Sequence, residues 1–307
     1  MTENQNTEQL KAAFVAIVGR PNVGKSSILN DLIGQKIAIV SKKPQTTRTR
    51  IMGVWTREED QLVFIDTPGL MKPRNSLGSY MVKAVTASVA GVDACLLVVE
   101  AGAEISKADL DLIERFRAEK IPAVLAINKT DLLRDKTLLM RQITGYTELY
   151  EFAAVVPVSA KDGTGMAELL TELRKLTVPG GHLFPEDTLT DQPERVIAAE
   201  IVREKILRLL DKEVPHGTAT VTERMQERGG ILDIDVTIYC ERASHKGILI
   251  GKGGAMLKSI GTKARQDMEN FFACKVNLQL WVKVKEDWRQ RPQTLQSLGF
   301  SEKDFLS

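Results

Sequence analysis

The sequence has 307 residues, enough for about two domains, and its 43% apolar and 27% charged residues exclude a disordered or fibrous chain. Forty-two basic against 40 acidic side chains leave a net of +2, which excludes a supercharged nucleic-acid binder. The balance is uneven, however: residues 1–193 carry 23 basic and 24 acidic side chains, residues 194–307 carry 19 and 16, and 242–291 carries 11 and 4.

In chain order, residues 1–12 read as a polar tail without a signal pattern. Phe14–Val18 is a short β-rich run that ends at Gly19, and Gly24 to Leu32 then reads as a helix start. Ile51–Thr56 and Leu62–Ile65 predict two strands around the charged turn Arg57-Glu58-Glu59-Asp60. Ala94–Val99 and Ala123–Ile127 are continuous apolar runs, as expected for strands buried on both faces, with a helical pattern at Leu110, Ile113 and Phe116 between them. Val155–Val158 is a further strand and Gly163–Leu176 a further helix. Strands alternating with helices predict a mostly parallel sheet over 13–177, covered on both sides.

Residues 178–193 hold Pro179, Gly180, Gly181, Pro185 and Pro193 and read as a linker. From 194 to 307 a second domain is expected. Glu194–Leu210 predicts an amphipathic helix, Ala219–Met225 and Ile231–Tyr239 two strands, and Ala255–Phe272 a helix. Val276, Leu278, Leu280, Val282 and Val284 alternate strictly as a strand does. The order is α-β-β-α-α-β.

Cys95, Cys240 and Cys274 are far apart and the three histidines scattered, so no disulfide framework, zinc site or histidine-based triad is expected. The apolar runs fall short of the ~20 residues needed to cross a bilayer, and a cytoplasmic monomer is expected.

Gly19-Arg20-Pro21-Asn22-Val23-Gly24-Lys25-Ser26 fits the phosphate-loop pattern GxxxxGK[ST] between a strand and a helix. Its glycines let backbone N–H groups wrap phosphates, Lys25 reaches the β and γ phosphates, and the Ser26 hydroxyl suits Mg²⁺. Asp66-Thr67-Pro68-Gly69 follows a strand; Asp66 can hold Mg²⁺ through water, and the Gly69 N–H can meet a γ phosphate. Asn128-Lys129-Thr130-Asp131 follows another. The Asp131 carboxylate suits the N1–H and N2–H₂ donors of guanine, a pair that adenine lacks. Ser159-Ala160-Lys161 is placed to close over the base. Each motif stands at a strand's C-terminal end, where ligands bind in open α/β sheets.

This set resembles the translation-factor-related GTPases. The resemblance implies GTP and GDP as ligands, hydrolysis assisted by Lys25, Thr47 and Gly69, and a first switch at Lys36–Arg50 whose Gln45-Thr46-Thr47-Arg48 supplies a threonine to Mg²⁺. Thr47 is favoured over Thr46. Thr67–Tyr80 would be the second switch. Leu70 stands where many small GTPases carry a water-orienting glutamine. Related GTPases use K⁺ held by a phosphate-loop asparagine, here Asn22, so K⁺ is implied as a second cation.

In the second domain, Ile250-Gly251-Lys252-Gly253-Gly254 lies between helical segments, and a GxxG there lets a nucleic-acid strand approach the backbone. Lys246, Lys252, Lys258, Lys263, Lys275, Lys283 and Lys285 fall in the basic stretch and are expected to track a phosphate backbone. Ile248 and Ile250 are expected to face the core more than the ligand, and Trp281 to pack in the sheet, although Trp281 and Trp288 are also candidates for base stacking. The fold class expected is α/β: an N-terminal P-loop GTPase domain, its mostly parallel sheet flanked by helices, plus a C-terminal type II KH domain.

Together the motifs GRPNVGKS, QTTR, DTPG, NKTD and IGKGG resemble the Era family, bacterial KH-domain GTPases of 30S assembly, from about residue 11 onward. That resemblance implies binding near the 3′ end of 16S ribosomal RNA, a role in its maturation on the 30S subunit, and peripheral membrane association. The rival reading is a membrane-associated signalling GTPase whose basic C-terminal surface meets anionic lipid.

Overall fold

The structure, a computed structural model, describes residues 10–69, 73 and 75–300. Leu70 and part of the expected second switch lie outside the described residues. Contacts divide the chain into two units: residues 10–38, 47–69 and 81–191, and residues 39–46, 73, 75–80 and 192–300.

In the first unit β1 (Lys11–Val18), β2 (Ile51–Arg57), β3 (Asp60–Asp66), β4 (Ala94–Glu100), β5 (Ala123–Asn128) and β6 (Ala154–Pro157) form a sheet in the order β2-β3-β1-β4-β5-β6. β1, β3, β4, β5 and β6 run parallel, and β2 joins β3 antiparallel through the charged turn. The helices are α1 (Lys25–Ile33), α2 (Ser76–Val89, of which residues 81–89 belong to this unit), α3 (Lys107–Glu119), α4 (Lys136–Leu149) and α5 (Met166–Arg174). Every residue of β5 is buried, because side chains of both faces meet helices, and this is why it reads as an unbroken apolar run. Leu112, Ile113 and Phe116 of α3 and Tyr146 of α4 pack on Leu97, Val99 and Leu125. Ser106 and Asp109 form a capping box that satisfies two backbone donors at the start of α3.

The stretch expected as a linker is largely fixed to the first unit. β7 (Val178–Pro179) pairs antiparallel with β1. The Gln61 carboxamide accepts from the N–H groups of Leu183 (2.7 Å) and Phe184 (2.9 Å) and donates to the Phe184 carbonyl (2.9 Å). Val54 N–H donates to Leu189 O at 2.9 Å, and the Thr190 hydroxyl donates to Met52 O at 2.6 Å. Prolines and glycines forbid a helix here, but an extended chain can still cover the open edge strand β2. Grouped with the rest of the unit, this stretch runs to residue 191.

The second unit is α6 (Glu194–Leu209), β8 (Thr218–Arg228), β9 (Ile231–Cys240), α7 (Ala243–Ile250), α8 (Ala255–Phe272) and β10 (Lys275–Val284), with a short α9 (Pro292–Ser297). The sheet order is β10-β9-β8; β10 is parallel and β8 antiparallel to β9. Ile234, Val236 and Ile238 pack against Ile201, Val202, Ile260 and Met268 in one core.

Helix α6 departs from the two-faced amphipathic pattern. Arg203, Glu204 and Lys205 are 1%, 0% and 4% exposed, and three consecutive residues span over half the helix circumference. Their charges are paired. Arg203 bonds Glu200 (2.7 Å) and donates to the carbonyls of Gln45 and Thr46. Glu204 accepts from Val40 N–H (3.0 Å) and Arg208 (3.0 Å), and Lys205 bridges Glu204 (2.8 Å) and Asp267. A buried charge without such partners costs several kcal/mol. Residues 39–46, which belong to this unit by their contacts, supply backbone partners that the sequence pattern of α6 does not reveal.

Candidate nucleotide site and glycine loop

The loop 19–24 links the end of β1 to α1. A Cβ at Gly19 would stand 2.3 Å from the Val98 carbonyl oxygen, so the loop lies against β4 only without a side chain. Gly24 has φ 102°, a conformation L side chains rarely adopt, and a Cβ there would meet Asn128 Nδ2 at 2.1 Å. Asn128 uses that amide to donate to Val23 O at 2.8 Å, while its Oδ1 accepts from Ala160 N–H at 3.1 Å. One buried side chain thus ties the phosphate loop, the NKTD turn and the SAK turn together.

Lys25 Nζ donates to Gly19 O (3.1 Å) and Arg20 O (3.0 Å). Burial lowers its pKa to about 8, opposed by the negative charge of Asp66. Ser26 Oγ donates to Asp66 Oδ2 at 2.5 Å. Thr47 Oγ1 lies 2.8 Å from Ser26 Oγ and 3.3 Å from Asp66 Oδ2. Asp66 is fully buried, and burial raises its pKa against the opposing pull of Lys25, Ser26 and Thr47. Its second oxygen, Oδ1, has no hydrogen-bond partner among the described residues. Three oxygen-bearing side chains and one orphaned carboxylate oxygen at the phosphate-loop lysine fit a hard divalent cation. Thr46 is turned away: its hydroxyl donates to Lys43 O at 2.6 Å and meets Ser41 Oγ at 2.7 Å.

Not every motif residue faces this cluster. Thr67 donates to Ile17 O (2.9 Å) and Lys129 bridges Glu100 (2.7 Å), so both hold loops in place. Arg20 reaches Asp109 at 3.5 Å. Pro68 is buried, and a Cβ on Gly69 would stand 2.6 Å from Pro21 Cα, so the two phosphate-facing loops touch. Asp131 accepts from Ser159 Oγ (3.0 Å) and Lys161 Nζ (3.3 Å), which aim its carboxylate. Asn22 is exposed at φ 65°, and its amide makes no hydrogen bond among the described residues.

In the second unit Gly251, Gly253 and Gly254 all have positive φ. A Cβ on Gly253 or Gly254 would meet nothing within 4 Å, so the loop's outer side is open to a strand of nucleic acid. Lys252 and Lys258 are exposed and Lys246 half-buried. Leu249 takes the core position of α7, leaving Ile250 half-buried and Ile248 49% exposed beside the loop, against the core placement expected of Ile248. The two tryptophans also differ from expectation. Trp288 is fully buried and donates from Nε1 to Gly217 O at 3.0 Å, so it does not stack bases. Trp281 is 56% exposed, because positions 277, 279, 281 and 283 share one face of β10 while Val276, Leu278, Leu280 and Val282 face the core.

Fold and site define a P-loop GTPase that carries a KH domain. The family described as 50S ribosome-binding GTPase matches residues 14–129, and the KH domain family matches 213–289. GTPase Era of Clostridioides difficile is 48% identical over 95% of this chain and 99% of its own, and that of Alkaliphilus metalliredigens 47% over 94% and 99%. The chain belongs to the Era family of GTPases. Two solved structures agree along its length. A tyrosine-to-alanine variant of Aquifex aeolicus Era bound to GDP·AlF4⁻ is 38% identical with TM-score 0.91, covering 95% of this chain and 100% of that one. An Era in complex with MgGDPNP and nucleotides 1506–1542 of 16S ribosomal RNA is 37% identical with TM-score 0.91, covering 95% and 99%.

Proposed function

We propose that the protein couples GTP hydrolysis to binding of the 3′ region of 16S ribosomal RNA, and that it acts in the cytoplasm on the maturing 30S subunit. The observation that carries this reading is the pairing, in one chain, of the Ser26–Thr47–Asp66 cluster with an exposed GxxG loop. A family relative solved with both MgGDPNP and 16S nucleotides supports it.

In this reading the phosphate-loop amides and Lys25 hold the β and γ phosphates, and Gly69 N–H meets the γ phosphate. Asp131 reads guanine, with Ser159 and Lys161 orienting its carboxylate. Ser26 and Thr47 hold Mg²⁺ directly and Asp66 holds it through water. The metal, when bound, neutralises charge on the phosphates. The reaction needs no covalent intermediate; positioning and electrostatics supply the rate. Asn22, whose amide is uncommitted among the described residues, would hold K⁺ beside the phosphates; equal turnover in KCl and NaCl would remove that role. At the KH domain, Ile250 and the Gly251–Gly254 loop admit the RNA strand, and Lys246, Lys252 and Lys258 meet its phosphates.

The decisive experiment measures binding of the full chain, loaded with a non-hydrolysable GTP analogue, to an RNA of the 1506–1542 sequence and to a scrambled RNA of equal length. Tighter binding of the native sequence is expected. Equal affinity would overturn the rRNA assignment.

A further inference from the structure

The outward row of β10 reads Lys275, Asn277, Gln279, Trp281 and Lys283, with Lys285 just beyond the strand's end. It contains cations, carboxamides and one aromatic ring, with no acid and no aliphatic side chain. All but Lys285 are exposed. The inward row of the same strand is wholly aliphatic, so the contrast reflects position on the pleat and not the composition of the region.

We propose that this sheet face is a second RNA-binding surface, separate from the GxxG loop, on which Trp281 stacks an unpaired base and Lys275 and Lys283 meet phosphates. It rests on the RNA-binding reading given above. Charge complementarity points to a nucleic acid. Of the nearby carboxylates, Asp235 pairs with Arg224 at 3.0 Å, Asp233 accepts from Asn277 at 2.8 Å with Arg228 4.0 Å away, and Glu223 accepts from the Tyr239 hydroxyl at 3.1 Å. The two aspartates are offset by arginines, and along β10 itself the lysines set the sign of the surface. On the neighbouring strand, Tyr239 stands beside Lys283 in register, with the Lys285 ammonium 5.4 Å from its ring centroid. That contact, with a hydrogen bond from Lys285 to Ser297 Oγ at 3.1 Å, fixes a further cation at the end of the row.

A lone tryptophan 56% exposed gains little from water, but every base offers it a π face. Exposed carboxamides such as Gln279 supply donors and acceptors for base edges. A lipid surface or an apolar protein partner would find no aliphatic side chain in this row. Length gives a second argument. A GxxG loop clamps about four nucleotides. The relative solved with RNA carries nucleotides 1506–1542, a far longer segment. The open sheet face gives such a strand a place to continue.

The test uses the full chain loaded with a GTP analogue, an RNA of the 1506–1542 sequence, and six-nucleotide fragments tiled across it. Trp281→Ala is expected to weaken the long RNA by about 5- to 150-fold, the range of one base–aromatic stack. The fragment that binds best to the unaltered protein, held by the GxxG loop, should bind the variant equally well. Trp281→Phe should recover most of the loss, since stacking needs a ring and not the indole N–H. A Gly253→Asp variant should weaken both RNAs. Unchanged long-RNA affinity in Trp281→Ala would overturn the second surface while the GxxG reading stands, as would equal weakening of long and short RNA. Failure of the unaltered protein to bind either RNA would overturn the RNA reading itself, and the second surface with it.

Discussion

Replacing Gly24 by alanine tests the central geometry of the nucleotide site. Two costs arise at once. The backbone at φ 102° becomes strained for a residue with a Cβ, at about 1–3 kcal/mol. The new methyl also occupies space 2.1 Å from Asn128 Nδ2, so the Asn128 side chain, itself 2% exposed, must move. Its bonds to Val23 O and Ala160 N–H are then lost or bent, and each buried group left unpaired costs about 1–3 kcal/mol. Part of this relaxes by reshaping the loop, and a net of about 3–5 kcal/mol against the nucleotide-competent arrangement is expected. That corresponds to a loss of GDP affinity of about 10²- to 10⁴-fold. Titration with a fluorescent GDP analogue measures it, and thermal unfolding of the nucleotide-free protein separates loss of binding from loss of fold. A GDP affinity within about threefold of the parent would refute the claim that Gly24 and Asn128 form one packed unit.

Other expectations follow from the same site. Asp131→Asn replaces one of the two acceptors for the guanine donors by an NH₂ donor and should weaken GDP by about 10²- to 10⁴-fold while favouring xanthosine nucleotides; retained guanine preference in a competition assay would dismiss the assignment. Thr47→Ala should cut Mg²⁺-dependent turnover by at least about tenfold, whereas Thr46→Ala, whose hydroxyl bonds Lys43 and Ser41, should change it by less than about threefold. The reverse order would reassign the metal ligand. Lys25, lowered by burial to about 8, is protonated below that pH in the free protein, and bound phosphates raise it again. Binding therefore takes up a proton above pH 8, and GDP affinity should fall by up to about tenfold per pH unit there while staying level with respect to this group below it. Calorimetry in buffers of different ionisation enthalpy would show that uptake; its absence between pH 8 and 9 would contradict the buried-lysine account.

The nucleotide half was legible because its chemistry is local. GxxxxGKS, DTPG, NKTD and SAK each need a particular residue type at a strand end, and the structure bonds the phosphate loop to DTPG through Ser26 and to NKTD and SAK through Asn128. What stayed hidden depended on partners distant in sequence. Arg203, Glu204 and Lys205 look like the wet side of an amphipathic helix until residues 39–46 and Asp267 are seen to satisfy them. Gln61 looks like an ordinary strand residue until it is found gripping Leu183 and Phe184, which turns an expected linker into a strap along β2. Charge alone does not report whether a side chain is hydrated or paired, so neither feature has a sequence signature.

Trp281 departs from the sequence expectation for a different reason. The expectation of a packed ring set Trp281 against the exposed Lys283 and Lys285, but residues two and four apart in a strand share one face. The structure favours the period. Val276, Leu278, Leu280 and Val282 already fill the inner face of β10, so a one-residue slip that buried Trp281 would expose all four. Burying a tryptophan gains about as much as burying one or two of those aliphatic chains, which makes the slip a net loss. The ring is therefore held outside by its neighbours. A large apolar group held out of the core by register is spare contact area beside lysines, which is the form a base-stacking surface takes in a protein that already carries an RNA-binding fold.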